Sequence, residues 1–116
     1  MQSLLEKNDS RTRAVTTPKD LSRVRKIGIA WYRREDYAEV RTAMIDGDVL
    51  PESYDDWLRC VSQVVTIEEA MGSAIVKATI APKSFVDWCL ATGQAADMQA
   101  RTRFVNEAVE DFCRRR

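Results

Sequence analysis

The chain predicts a small mixed α/β domain in the order β-α-α-β-α-α. Two short runs alternate with period two, and four longer runs carry apolar residues at helical spacing. The length of 116 residues suits one domain with a single modest core. The 1–22 segment is polar, carries Pro18 and lacks sustained periodicity, so it reads as a flexible basic N-terminal arm. The folded domain is expected over 23–116.

In the first run, Ile27, Ile29 and Trp31 alternate with Gly28 and Ala30. One face of this strand is bulky and expected in the core. The other is nearly bare, which lets a helix or another backbone come close. Tyr37, Val40 and Met44 then recur at helical spacing over about 34–45. Glu35 and Asp36 fall in the first turn, where negative charge suits the helix dipole. Asp46-Gly47-Asp48 stops this helix, with Gly47 expected in the left-handed region.

Ser53 caps the next helix, with Asp56 three residues on. Tyr54, Trp57, Leu58, Val61, Val64 and Val65 follow the i, i+3, i+4, i+7 template, and the helix ends at Gly72. Ala74, Val76, Ala78 and Ile80 alternate with Ile75, Lys77 and Thr79 as a second strand. Pro82 opens a third helix with Phe85, Trp88 and Cys89 on one face, and Gly93 closes it. Asp97 caps a fourth, carrying Ala100, Phe104, Ala108 and Phe112.

Short links suggest that each element reverses direction. Two helices between the strands then make the strands antiparallel neighbours in a two-layer domain. A two-stranded sheet is marginal alone and exposes both edges. Pairing with a second copy would complete four strands in a twofold dimer.

The net charge is zero, yet charge is unevenly spread. Residues 1–26 hold seven Lys/Arg against three Asp/Glu, 27–71 hold four against ten, and 72–116 hold seven against five. Contact between basic and acidic surfaces, within or between chains, is one reading; solvated surface charge is the plainer one. Apolar runs are too short to span a membrane, and no export signal stands near the start. Cys60, Cys89 and Cys113 are an odd number at long spacing, which fits free thiols in a cytoplasmic protein. The expectation is burial for Cys60 and Cys89.

No catalytic motif appears. There is no histidine, no paired-cysteine motif and no glycine-rich phosphate loop. Adjacent carboxylates such as Glu35-Asp36, Asp55-Asp56 and Glu68-Glu69 diverge on a helix and do not form acid/base dyads. No catalytic residue, metal site or cofactor is therefore assigned, and the reading leans away from an enzyme.

The strand-to-helix junction is the strongest candidate for binding. Tyr32 is expected to point toward the slot beside Gly28 and Ala30. Arg33 and Arg34 sit near a helix N-terminus, where guanidinium groups can hold a carboxylate or phosphate. Pairing with Glu35, Asp36 or the acidic 46–56 stretch is the structural alternative. A second candidate is nucleic acid, met by a helix-turn-helix-like hairpin at 82–113. Arg23, Arg25, Lys26, Arg101 and Arg103 would make that contact.

Ile-Ala-Trp-Tyr-Arg-Arg-Glu-Asp-Tyr (29–37), Leu-Pro-Glu-Ser-Tyr-Asp-Asp-Trp (50–57), Phe-Val-Asp-Trp-Cys (85–89) and Ala-Arg-Thr-Arg-Phe (100–104) occur in this order. Over about 27–112 the chain resembles a group of short, uncharacterised bacterial proteins. The resemblance implies a bacterial cytoplasmic origin and attaches no activity. The resulting expectation is a small, non-enzymatic protein–protein interaction module, homodimeric, with no membrane association. The alternatives are a nucleic-acid-binding regulator using the basic arm and the 97–113 helix, or a small enzyme with its site near Tyr32.

Overall fold

A computed structural model describes residues 24–115. The expected arm at 1–22 and the candidate contact Arg23 lie outside them. The chain forms β1 (Lys26–Trp31), a 3-10 turn (Arg34–Asp36), α1 (Tyr37–Ala43) and a second 3-10 turn (Gly47–Val49). Then follow α2 (Tyr54–Ala70), β2 (Ala74–Thr79), α3 (Pro82–Thr92) and α4 (Met98–Arg114). The β-α-α-β-α-α order is as expected.

The strands are parallel, which corrects the antiparallel expectation. The cause is the length of α1. Its seven residues span about 10 Å, against about 20 Å for a six-residue strand. It is too short to carry the chain back along the strand. The 17-residue α2 makes that return, so the whole connection acts as one crossover, as a parallel pair requires.

Local chemistry explains the element ends. The Ser53 hydroxyl accepts the Asp56 N–H at 3.0 Å and starts α2. Asp97 accepts the Ala100 N–H at 3.1 Å and starts α4. Gly72 and Gly93, at φ 89° and 71°, end α2 and α3 in the left-handed region. Gly47 does not adopt a positive φ, contrary to expectation. It is glycine because a Cβ there would lie 1.9 Å from the Arg41 carbonyl oxygen.

The sheet has two unlike faces. Gly28, Ala30, Val76 and Ala78 share the face covered by α4, which packs on both strands. A Cβ on Gly28 would meet Val105 and Val109 at 2.5 Å each. The slot read from the sequence is thus the seat of α4. On the other face Ile29 and Trp31 pack against the core only partly buried, and Lys77 lies 4.2 Å from the centre of the Trp31 ring.

The core sits beyond the C-terminal ends of the strands. Val40, Ile80 and Phe85 are fully buried there. Trp57 lies between Trp31, Tyr32 and Tyr54, with ring centres 5.0 to 5.3 Å apart. Trp88 joins it through Phe85 and Phe104. Cys89 is buried as expected, and burial pushes its thiol pKa up. Cys60 is exposed, contrary to expectation, because α2 buries only the Trp57–Val61 line.

Candidate binding edge

The structure breaks up the expected site at the junction. Tyr32 is only 2% exposed and stacks edge-on against Tyr37 and Trp57. Regular pairing ends at Trp31, and the chain turns there, which swings Tyr32 into the core. Burial raises its phenol pKa, so it stays neutral and serves as packing. Arg33 donates to Asp36 at 2.8 Å and lies 3.6 Å from Glu35. Arg34 pairs with Asp55 at 2.9 Å and lies over the Tyr54 ring at 4.6 Å. Both arginines remain solvent-exposed; Arg33 pairs with acids of the 3-10 turn itself, and Arg34 ties the turn to α2.

The nucleic-acid candidates are not brought together. Arg101 is 6% exposed, which corrects its reading as a surface contact. It donates to Asp46 at 2.9 Å, and Asp46 also accepts the Met98 N–H at 3.0 Å. One carboxylate thus ties the end of α1 to the first turn of α4. The hydrogen bond from Arg101 holds the Asp46 carboxyl below its usual pKa. Arg103 is exposed and lies 3.6 Å from Glu107 on its own helix. Arg25 and Lys26 stand at the start of β1, where Lys26 donates to the Val24 carbonyl.

What stands open is backbone. The Ala74 N–H donates to the Arg25 carbonyl at 2.9 Å, and the Ile80 N–H to the Trp31 carbonyl at 2.8 Å. In a parallel ladder alternate residues face the neighbouring strand. Ile27, Ile29 and Trp31 therefore turn their peptide groups toward β2. Gly28 and Ala30 turn theirs the other way, and no described residue pairs with them. Most backbone N–H and C=O groups in folded proteins are paired, and peptide groups without a partner among the described residues mark a strand edge to which a further strand can add.

A groove of about 240 Å³ runs along this edge. Gly28 and Ala30 form one wall, and Met98, Thr102, Val105 and Asn106 of α4 form the other. Its walls are short or uncharged apart from Arg101, which Asp46 engages. The groove offers hydrogen bonds in line with a strand but neither a nucleophile nor a base. The sequence marks this place only through Gly28 and Ala30, as a bare strand face. Which edge lies beside α4 depends on how the helix sits on the sheet, and the sequence does not state it.

Among the described residues, no group of three or more acidic, cysteine or histidine side chains is placed to hold a metal ion. No described helix is long and apolar enough to cross a membrane. No family model, curated protein or solved structure matches the chain, so the reading of this edge rests on its own geometry.

Proposed function

We propose that this is a non-enzymatic binding protein whose partner is a protein, received at the open edge of β1. An extended segment adds there as a strand. Its backbone pairs with Gly28 and Ala30, and its side chains lie against α4. The observation that carries this reading is the pair of peptide groups beside the groove that no described residue partners. The small residues at 28 and 30 support it, since neither has a bulky side chain to fill the groove. Recognition is favoured over catalysis because the groove walls lack any group that titrates near neutrality. Protein is favoured over nucleic acid because Arg101 is engaged by Asp46 and the groove has no other charged wall residue.

Ala30→Pro tests the reading. The Ala30 N–H points outward, so proline removes a docking donor without removing a bond to β2. The variant is expected to keep its circular dichroism spectrum and to lose proteins that co-purify with the wild-type chain. Co-purification unchanged in a folded Ala30→Pro variant would contradict it.

A further inference from the structure

Beside the open edge, α4 presents a flank of unusual composition for so charged a helix. Take Val105, which lies against Gly28, as the inward direction. A rotation of about 100° per residue then places Met98, Thr102, Asn106, Val109 and Cys113 on one side of that line. Met98, Thr102 and Asn106 line the groove, so this side turns toward the open edge. None of the five is charged. At the outer rim of the same flank stand Arg103 and Glu110, seven residues and two turns apart. The opposite flank meets Trp88 of α3 through Phe104.

We propose that a second copy of this chain occupies the edge. The two β1 strands pair antiparallel about a twofold axis at Gly28, and the two α4 helices lie side by side. The proposal rests on the edge-binding reading above and names its partner.

Charge complementarity carries it furthest. The midpoint of Arg103 and Glu110 falls between residues 106 and 107. Gly28 lies against Val105 and Val109, whose midpoint is residue 107. An axis at Gly28 therefore sets Arg103 opposite the partner's Glu110, and Glu110 opposite the partner's Arg103. Within one chain Glu110 has no ion-pair partner among the described residues, and Arg103 has only Glu107 at 3.6 Å. Both are exposed and available.

The spacing agrees. Because α4 lies across β1 and β2, two strand spacings of about 4.8 Å separate it from its copy. The helix axes then stand about 10 Å apart, at the upper end of the distance at which helices pack. A side chain near the axis meets its own equivalent, which like charges would oppose. Here that residue is Asn106, and an amide can hydrogen-bond to an amide. On the strands Gly28 faces Gly28, so no side chain obstructs the pairing. The product is a four-stranded sheet ordered β2-β1-β1-β2, above the size at which a sheet is marginal.

The test uses the full chain in sedimentation equilibrium. The wild type is expected to be a dimer. Asn106→Lys puts two like charges at the axis and is expected to give a folded monomer. Arg103→Glu and Glu110→Arg should each weaken the dimer several-fold, and the double swap should restore it. A monomeric wild type overturns the proposal. So does a dimer that Asn106→Lys leaves intact, or a double swap that associates no better than the single reversals. If the wild type is monomeric but Ala30→Pro still abolishes co-purification, the edge-binding reading stands and only the second copy is wrong as the partner.

Discussion

β1 has a closed end and an open side. Its C-terminal end runs into an aromatic cluster where Trp31, Tyr32, Tyr37 and Trp57 pack against one another and each junction arginine is paired with an acid. Its side away from β2 holds peptide groups that no described residue pairs, and a groove walled by short, mostly uncharged residues. The first region has the residues that attract attention in a sequence and satisfies them internally. The second is made of glycine, alanine and backbone, and its peptide groups find no partner among the described residues. The conspicuous polar side chains of the junction are thus engaged within the fold. The proposed edge is marked instead by backbone groups without a partner among the described residues.

The comparison breaks first at Trp57, if the closed end is not truly structural. Trp57 is 6% exposed and touches four aromatic rings. Trp57→Ala is expected to cost about 3–5 kcal/mol in urea denaturation, the usual range for a large aromatic lost from a core. A loss below about 1 kcal/mol would place it on a peripheral patch.

Asp46→Asn should have the next largest effect. It replaces a carboxylate that accepts from both Arg101 and the Met98 N–H. The expected cost near neutral pH is about 2 kcal/mol, at the level of a charged hydrogen bond with one partner removed. The pH dependence follows from the lowered pKa. In the unfolded chain Asp46 titrates near the usual value of about 3.9. Its stabilisation is therefore present above that pH and is lost as pH falls through the lower folded value. Wild type should lose this part of its stability below about pH 4, and the Asp46→Asn variant, which has no carboxylate at this position, has none to lose. The gap between the two should close on acidification. A gap that stays constant down to about pH 2, well below the ordinary carboxylate range, would show that the pair is not ionic.

Much of the fold was legible. Ser53, Asp97, Gly72, Gly93 and the two alternating runs placed both strands, α2, α4 and the end of α3, because caps, left-handed glycines and periodicity are local signals; α1 is shorter than the expected 34–45, since its first turn is a separate 3-10 turn. Strand direction was not legible. It depended on whether a seven-residue helix counts as a traverse, which is a matter of length in space. The proposed edge was half legible. Gly28 and Ala30 were seen as a bare face, and the helix that fills it is α4. Alternation would place Tyr32 in the slot only if the strand ran one residue past Trp31, where pairing ends. Arg101 was misread because its acid lies 55 residues away, beyond any local pattern. Cys60 looked like core because it sits beside an apolar stripe, one residue off its buried line.

Amide hydrogen exchange along β1, followed over protein concentration, tests the central claim most directly. The account predicts two classes. Ile27, Ile29 and Trp31 bond to β2 and should stay protected at every concentration. Gly28 and Ala30 should exchange rapidly in dilute protein and become protected as concentration rises and the edge is filled. Strong protection of Gly28 and Ala30 at the lowest concentration would contradict the open edge. Rapid exchange that no concentration slows would contradict its occupation by a second copy.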